Sequence, residues 1–420
     1  MSKKSVILPG VFGNALEWYD FTTYAFFVPI ISKVFFPMQV EFLSLLITLS
    51  IFSMSFLIRP LGGVLFGYIG DKFGRKKALI ISIITMTIPT FLFGLLPTYN
   101  TIGLTAPLLV TFLRLIQGLS VGGELSTTIS FLVEHAPENR RGFMGSLAIC
   151  SAFLGIAASS LVSTLIMQSV DQEQLLLWGW RIPFLLAAIL GIIGLHFRLN
   201  TKETHHYTVS HKTHESKTYF LLKHLFKKHY SSLLIAISLT SIMGAGNYFV
   251  IGYFVTFLSK TEGLPLKSVM ASNLASICVF ASLMPILGFL SDFVGRKRII
   301  FIGITGTILS AYPVFWLLTQ GSISYALAGQ LLFILFLAAI NAALPAALAE
   351  LFPTHIRNSG IGIGYNISLA LFGGTAPLIG LTLVRETADK MSPAIYLIFV
   401  GCISMAALFF FKESYRKKLS

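Results

Sequence analysis

The sequence predicts an all-α membrane protein of twelve transmembrane helices, arranged as two homologous six-helix halves with both termini in the cytoplasm. Three observations lead to this prediction. Hydrophobic residues make up 55% of the 420-residue chain and charged residues 11%, against roughly 25% charged residues in a soluble globular protein. Apolar runs long enough to cross a bilayer recur along the whole chain. Two short patterns each occur once in either half.

A helix needs about 20 residues to cross the hydrocarbon core of a bilayer. The apolar runs predict spans at 11–31, 42–69, 78–97, 104–132, 142–168, 179–199, 231–258, 268–290, 299–318, 323–349, 359–384 and 391–411. These runs are apolar on every face and longer than a membrane β-strand, which excludes a β-barrel. The polar gap 201–230 separates the spans into an N-terminal bundle, 1–200, and a C-terminal bundle, 231–420. We interpret the gap as a cytoplasmic linker.

The distribution of Lys and Arg orients the helices. With the N-terminus inside, 23 of the 31 basic residues fall in cytoplasmic segments and 5 in external ones, as the positive-inside rule requires. Because these charges lie at the ends of apolar runs, the net charge of +14 indicates topology and lipid contact, not nucleic-acid binding. The cysteines 150, 278 and 402 lie inside apolar runs, so we expect neither a disulfide nor a metal site.

Two patterns recur at nearly one offset. GYIGDKFGRK (67–76) matches GFLSDFVGRK (288–297), 221 residues later, and EHAPENRR (134–141) matches ELFPTHIR (350–357), 216 residues later. The first pair follows the second span of each half, and the second pair follows the fourth. This agreement predicts an internal duplication, which is common in transporters whose substrate sites lie where the repeats meet.

The repeated loops suggest a conformational latch between helices. Glycines in the first pattern allow helices to approach closely, and its aspartate can cap a neighbouring helix N-terminus. The alternative is that the basic residues only set topology. The residues assigned to the latch are Gly67, Asp71, Gly74, Arg75, Asp292, Arg296, Glu134, Arg141, Glu350 and Arg357.

The pattern G-x-x-x-D-x-x-G-R-K resembles the signature loop of the major facilitator superfamily. The strings GNALEWYDF, RPLGGVLFGYIGDKFGRKK, RLIQGLSVGGE, WRIPF and ELFPTHIRNSG resemble its metabolite:proton symporter branch, which includes transporters of proline and betaine, 2-oxoglutarate, citrate and shikimate. The resemblance implies the major facilitator fold and proton-coupled uptake of a small metabolite by alternating access. It also implies a monomer in the bacterial inner membrane, with the proton as coupling ion and no cofactor.

Five charged residues fall inside the predicted spans and away from their ends, all in the N-terminal half. Asp20 lies roughly 15 Å from the inner end of its span, near the midplane, and Glu17 lies one turn away on the same face. Arg59, Arg114 and Glu124 complete the set. Three acids then face two bases, and burial of the surplus carboxylate favours its protonated form.

The resemblance to sugar and metabolite symporters implies that Asp20 with Arg114 is the protonation switch. Glu124 and then Glu17 are the next candidates for proton coupling. The alternative is a static polar network that fixes helix packing. Arg59 either binds an anionic group of the substrate or neutralises Glu17.

Neutral polar and aromatic residues supply the predicted substrate side. They are Tyr24, Asn247, Tyr248, Tyr253, Asn341, Tyr365 and Asn366. Aromatic rings can contact an amine by cation–π attraction while an arginine binds a carboxylate. This combination favours a zwitterion such as betaine or proline. The alternative is an organic acid of the 2-oxoglutarate, citrate or shikimate type, and each aromatic residue could instead serve packing alone.

Other function classes fit less well. A proton-driven exporter of this superfamily usually has a Gly-Pro-rich motif in span five, and 142–168 has no proline. A sensor would need an added soluble domain. An enzyme is not expected, because no catalytic residues, metal-ligand spacing or phosphate loop stand out in a suitable context.

Overall fold

The computed structural model describes residues 4–208 and 221–419, and these ranges are helical without a strand. The long helices, numbered in chain order, are α1 Lys4–Phe26, α2 Glu41–Phe73, α3 Arg75–Leu95, α4 Thr105–Glu134, α5 Arg141–Ser169, α6 Gln172–Leu199, α7 Tyr230–Thr261, α8 Leu266–Val294, α9 Arg296–Leu318, α10 Ile323–Leu351, α11 Thr354–Thr387 and α12 Pro393–Phe410. Short helices lie between some of them, at Val28–Phe35, Tyr99–Ile102 and Leu221–Lys228.

Within the described ranges, ten helices, α3 to α12, are long and apolar enough to cross a membrane. The membrane crossings of α1 and α2 remain predictions from the sequence. The outer surface of the bundle carries large apolar side chains, such as Leu57 and Leu309, each 73% exposed, and Phe410, 75% exposed. Such a surface suits lipid and not water.

The expected linker 201–230 is structured where it can be described. Residues 209–220 lie outside the described part of the chain, and Leu221–Lys228 is a helix. Thr201 and Thr204 are buried, so the beginning of this segment packs against the bundle instead of lying in solvent. The reason is a set of hydrogen bonds to the repeated loops, described below.

Both described ends of the chain and the repeated loops lie at one end of the bundle, called here the terminal end. The backbone carbonyl of Pro9 near the start of α1 accepts a hydrogen bond from Arg198 at the end of α6. Glu413, just after α12, contacts the backbone of Arg296 at the start of α9. The cytoplasmic location of the terminal end remains a prediction.

Helices α1 to α6 form the first set and α7 to α12 the second. Small residues let the two sets meet backbone to backbone. Between α2 and α11, a Cβ added to Gly362 would lie 2.8 Å from the carbonyl oxygen of Gly63, closer than real contacts allow. Between α5 and α8, a Cβ on Gly288 would lie 2.8 Å from the carbonyl oxygen of Gly142. Without a hydrophobic driving force in lipid, this close van der Waals packing holds membrane helices together.

Two helices of the second set contain π-helical turns. These lie at Phe249–Tyr253 and Phe257–Thr261 in α7 and at Leu369–Gly373 in α11. A π turn breaks the regular ladder of backbone hydrogen bonds and is frequent at functional sites. Ile251 and Leu369, which lie in two of these turns, line the central cavity described below.

Candidate functional site

A cavity lies between α1, α4 and α5 on one side and α7 and α11 on the other. Its walls are mainly aromatic and aliphatic, with the rings of Trp18, Phe153, Tyr248 and Tyr365 and the amide of Asn247. The cavity lies where the two sets of helices meet. A small ligand with an apolar or cationic body fits such walls.

Arg59 of α2 brings a positive charge to the edge of this cavity. Its Nη1 donates a hydrogen bond to the Tyr248 hydroxyl at 3.1 Å, and its guanidinium carbon lies 4.4 Å from the ring centroids of both Phe21 and Phe56. The side chain is 1% exposed. Its Nε and Nη2 have no hydrogen-bond partner among the described residues, so two donors remain for a ligand.

Three of the predicted substrate residues line the cavity, and a fourth supports it. Asn247, Tyr248 and Tyr365 are wall residues. Asn341 of α10 lies behind the wall, where its amide and that of Asn247 exchange two hydrogen bonds of 3.0 Å. The structure thus brings together the polar residues of α7 with those of α10 and α11.

The other three predicted substrate residues lie elsewhere. Tyr24 packs its ring under the Arg114 guanidinium, 4.2 Å from the ring centroid. Tyr253 packs among phenylalanine rings in the core of the second set of helices. Asn366 donates to the backbone carbonyls of Gly122 and Gly362 at 2.5 and 2.7 Å, so it joins α11 to α4. Sequence alone could not distinguish these contacts from cavity positions.

Trp18 and Phe153 are wall residues that the sequence prediction missed. Trp18 follows Glu17 in the EWYD string and is buried, and its indole nitrogen has no hydrogen-bond partner among the described residues. Its place next to a buried acid near the midplane was a usable signal. Phe153 carries no such signal, because it is one of 37 phenylalanines in an apolar chain.

Asp20 and Arg114 are joined through two neutral side chains. The Thr90 hydroxyl donates to Asp20 Oδ2 at 3.1 Å and accepts from Gln117 Nε2 at 2.8 Å. The Gln117 carbonyl oxygen accepts from Arg114 Nη1 at 2.9 Å. All four side chains are buried. A change in the charge of Asp20 is therefore felt by Arg114 both directly and through this chain of hydrogen bonds.

Glu124 pairs with Arg198, and this corrects the predicted charge balance. The sequence placed Arg198 among the cytoplasmic charges, but it is 1% exposed at the end of α6. Arg198 donates to both carboxylate oxygens of Glu124, which also accepts from Ser82 and Thr128. With Arg198 added to the five charges predicted inside the spans, the set has three acids and three bases, so the predicted surplus of one negative charge is wrong. Hydropathy alone could not tell that the last turn of α6 is covered by protein.

At the terminal end, Asp71 caps the helix that begins at Arg357 in α11. Its two carboxylate oxygens accept from the backbone nitrogens of Asn358 at 3.1 Å and Ser359 at 2.8 Å. Arg75 holds the same carboxylate at 3.0 Å. Gly67, one turn earlier in α2, leaves room for Ser359 to approach, since a Cβ there would lie 2.7 Å from its Cα.

Glu134 lies at the centre of this network. One of its carboxylate oxygens accepts from Arg75 and from Arg357, both at 2.8 Å, and the other accepts from the Thr204 hydroxyl at 2.5 Å. Arg75 also donates to the backbone carbonyl of Thr354 at 2.6 Å. Residues from α3, α11 and the segment after α6 therefore meet at this buried carboxylate of α4.

The second repeat builds the same arrangement with the roles of the two helix sets exchanged. Asp292 caps α5 by accepting from the backbone nitrogens of Gly142 and Phe143 at 2.8 and 3.0 Å. Arg296 pairs with Asp292 at 2.9 Å and with Glu350 at 3.2 Å. Glu350 also lies 3.5 Å from Arg141. The two networks together close the terminal end of the bundle.

Two further carboxylates belong to these networks and were not predicted. Glu203 accepts from the backbone nitrogens of Arg75 and Lys76, both at 3.1 Å, and Glu413 accepts from those of Arg296 and Lys297 at 3.1 and 2.9 Å. Each caps the helix after a repeated loop. A third repeat carried the signal: KET (202–204) after α6 matches KES (412–414) after α12.

The connecting glycines explain how these caps fit. Gly74 and Gly295 have φ angles of +105° and +106°, which residues other than glycine rarely adopt. The chain turns there from one helix directly into the next.

The segment after α6 makes further contacts with the first repeated loop. Tyr207 donates a hydrogen bond to the backbone carbonyl of Lys72 at 2.8 Å. Burial lowers the pKa of His206, so His206 is neutral at pH 7 beside the network.

Comparison with known proteins identifies a matching family model and similar transport proteins. The model of the Major Facilitator Superfamily matches residues 10–362 and 269–420. The chain is 35% identical over 424 residues to the glycine betaine/proline/ectoine/pipecolic acid transporter OusA of Dickeya dadantii, covering 99% of this chain and 84% of that protein. It is also 35% identical over 426 residues to the proline/betaine transporter of Escherichia coli K12, covering 99% and 85%.

Solved structures share the fold. The proton:xylose symporter XylE bound to 6-bromo-6-deoxy-D-glucose superposes with a TM-score of 0.82 at 19% sequence identity, covering 99% of this chain and 97% of that chain. A partially occluded inward-open conformation of XylE from E. coli superposes with a TM-score of 0.71 at 19% identity, covering 99% of each chain. At this identity the likeness concerns the fold alone.

Proposed function

This chain belongs to the major facilitator superfamily, and from that premise we propose that it is a proton-coupled importer of a small zwitterion such as betaine or proline. The family predicted from the sequence motifs is confirmed. The protein is a multi-pass membrane transporter and not an enzyme, consistent with the bacterial inner membrane. The substrate and the coupling ion are the proposal.

The position of Arg59 at an aromatic cavity is the observation that carries the proposed substrate class. The rings of Trp18, Tyr248 and Tyr365 offer π faces to a quaternary or secondary ammonium group. The free donors of Arg59 can hold the carboxylate of the same molecule. Betaine and proline carry these two groups a few bonds apart. The names of the relatives from D. dadantii and E. coli support the same class.

Organic acids with two or three carboxylates fit the cavity less well. Among the described residues, the wall itself carries no cation, and Arg59 is the one that reaches its edge. Arg198 is committed to Glu124, and Arg114 stacks on Tyr24 behind the wall. A second carboxylate would therefore be buried without a partner, which is costly.

The proposed coupling step is protonation of Asp20. A neutral Asp20 attracts Arg114 less, so the chain through Thr90 and Gln117 can rearrange. Alternating access then requires the two bundles, 1–200 and 231–420, to rock about the central cavity and the latch at the terminal end to open. Proton and substrate shift this equilibrium only by binding one conformation more tightly than the other. No cofactor takes part, and one chain suffices.

Purified protein in liposomes that contain a pH-sensitive dye tests the proposal. Betaine, proline, 2-oxoglutarate, citrate and shikimate are added in turn outside, and the pH of the lumen is followed. We expect acidification with betaine or proline, and its loss in Asp20→Asn and in Arg59→Gln. Glu173→Gln, which neutralises a carboxylate at the opposite end of the bundle, is the matched control and should acidify like the wild type.

Three results would each contradict part of the proposal. Acidification with an organic acid and not with betaine or proline would overturn the substrate class. Radiolabelled counterflow of betaine without acidification would show transport that is not coupled to protons. Full acidification in Asp20→Asn would remove Asp20 from the coupling step.

A further inference from the structure

The ring of Phe21 in α1 lies under two buried guanidinium groups. The guanidinium carbon of Arg59 is 4.4 Å from the ring centroid, and that of Arg114 is 5.0 Å from it. Both distances fall within the roughly 6 Å over which a cation is attracted to an aromatic face. Phe21 is 2% exposed, so the three side chains share surroundings from which solvent is excluded, where such contacts are strongest.

The two arginines serve the two proposed ligands of this transporter. Arg59 donates to Tyr248 of the cavity wall and keeps two donors for the substrate. Arg114 is connected to Asp20 by the chain of hydrogen bonds described above. Phe21 directly follows Asp20 in α1. The substrate site and the proposed protonation switch therefore contact one and the same ring.

Neighbouring rings hold Phe21 at this point. Phe56 of α2 meets it edge-on, with the ring centroids 5.2 Å apart and an interplanar angle of 84°. The Trp18 ring lies 6.2 Å away at 71°. Both of these rings also contact Arg59. Because the interior is close-packed, a shift of either guanidinium displaces the Phe21 ring and changes its contact with the other one.

The charges around Asp20 come from several helices. Glu17 of α1 is 3% exposed, and neither of its carboxylate oxygens has a hydrogen-bond partner among the described residues. On α6, Arg198 binds Glu124 of α4, and Arg181 binds a backbone carbonyl near the end of α3. The charged residues of α3 and α5 lie in the first turn of each helix. Around Asp20 itself lie Tyr19 and Tyr24 of α1, Arg59 of α2 and Arg114 of α4.

We propose that Phe21 is a positioning residue that couples substrate binding at Arg59 to protonation of Asp20. The inference rests on the proposed function. When Asp20 takes up a proton, it attracts Arg114 less, Arg114 shifts against the ring, and the ring shifts against Arg59. Loss of a negative charge near the two arginines also favours a carboxylate at Arg59. Coupling between two binding sites is reciprocal, so a bound substrate favours the protonated form of Asp20 by the same factor.

Equilibrium binding of radiolabelled betaine to the purified protein tests this coupling. In the wild type we expect the Kd to be at least 5-fold lower at about pH 6 than at about pH 8, a ratio typical of coupled sites. Phe21→Leu and Phe21→Met keep an apolar side chain without a π face, and each should reduce this ratio to less than about 2-fold. Phe21→Tyr keeps the ring and should retain the wild-type ratio.

The matched control is Phe333→Leu, at a buried ring of α10 that packs against Phe254. It removes the same ring from a different part of the core and should retain the wild-type ratio. A purely structural role of Phe21 would weaken binding equally at both pH values and leave the ratio intact. A wild-type ratio in Phe21→Leu or Phe21→Met would therefore overturn the proposal, whatever the absolute affinity of the variant.

Infrared difference spectra of the protein in lipid provide a readout without substrate. Asp20→Asn identifies the carbonyl stretch of protonated Asp20 as the band that it removes. We expect Arg59→Gln to move this band in the wild-type background and to move it less than about half as far in the Phe21→Leu background. Equal movement in both backgrounds would refute the link. If the wild type binds no betaine at either pH, the proposed substrate fails, and these spectra still decide whether Phe21 connects Arg59 with Asp20.

Discussion

At the scale of single residues, the bundle keeps a cation next to its central cavity by using aromatic faces. The Arg59 guanidinium lies over Phe21 and Phe56 and within 5.4 Å of the Trp18 ring centroid. Contact with π faces compensates part of the cost of burying a charge. Because the rings contact only the faces of the guanidinium, its in-plane N–H groups can bind other partners, and one of them donates to Tyr248. A planar, delocalised cation is required for this arrangement.

Arg59→Lys tests this requirement. Lysine keeps the charge but is a compact ammonium that cannot stack or form a fork of hydrogen bonds. We expect the KM for betaine counterflow to rise at least 10-fold, which corresponds to about 1.4 kcal/mol. Arg181→Lys, at a partly exposed arginine far from the cavity, is the control. An unchanged KM in Arg59→Lys would show that charge alone is needed.

At the scale of helices, a π-helical turn of α7 is held by side chains of neighbouring helices. In this π turn at Phe249–Tyr253, the Val250 carbonyl accepts a hydrogen bond from the side chain of Asn273 of α8 at 2.8 Å. Asn273 is itself held by Gln330 of α10 at 3.4 Å. Two neighbouring helices thus contact the turn that contributes Ile251 to the cavity wall.

Asn273→Leu should destabilise the protein. The change keeps the number of side-chain heavy atoms but removes the donor to the Val250 carbonyl, which costs about 1–3 kcal/mol. Thermal unfolding of the protein in detergent should therefore show a lower Tm. Asn100→Leu, at an exposed asparagine, is the control and should unfold at the wild-type Tm. Equal values for both variants would mean that the π turn does not depend on this hydrogen bond.

At the scale of the whole molecule, two mirrored caps hold the terminal end closed. Asp71 of the first repeat binds the start of α11, and Asp292 of the second binds the start of α5. Each carboxylate ties a helix of one set to a helix of the other. Because a charged cap on two backbone N–H groups is a strong contact, we propose that both caps restrain opening of the terminal end.

Asp71→Asn should favour opening of the terminal end. The amide oxygen replaces a charged cap with a neutral one, a loss of about 1–2 kcal/mol. A reporter is Thr127→Cys in a background without Cys150, Cys278 and Cys402, because Thr127 is buried against Asn358 at this interface. We expect maleimide to label it about 5- to 30-fold faster in Asp71→Asn. Asp292→Asn should behave alike.

Asp389→Asn, at an exposed carboxylate near the opposite end, is the control for this experiment and should label at the parental rate. If Asp71→Asn and Asp292→Asn also label at that rate, the two caps do not restrain opening.

Much of this protein could be predicted from the sequence because the relevant signals are local or repeated. Hydropathy identified each long helix, since lipid demands apolar side chains over about 20 residues. The two repeated sequence patterns identified Asp71, Glu134 and their counterparts in the second half, each in or beside a loop that follows the second or fourth span. The shorter repeat around Glu203 and Glu413 carried the same information but was missed, because only three residues recur.

Only the tertiary structure decided which buried groups meet. A helix that is apolar on every face shows no preferred side, so Tyr253 and Tyr365 looked alike until packing placed one in the core and the other at the cavity. Arg198 looked cytoplasmic because it ends an apolar run, yet α1, α3 and α4 cover it. A hydropathy value describes how favourably a side chain moves from water into an apolar environment. It does not tell which other side chain that residue contacts in the folded protein. The pairing of Glu124 with Arg198, and the isolation of Glu17, follow from how the helices pack against one another.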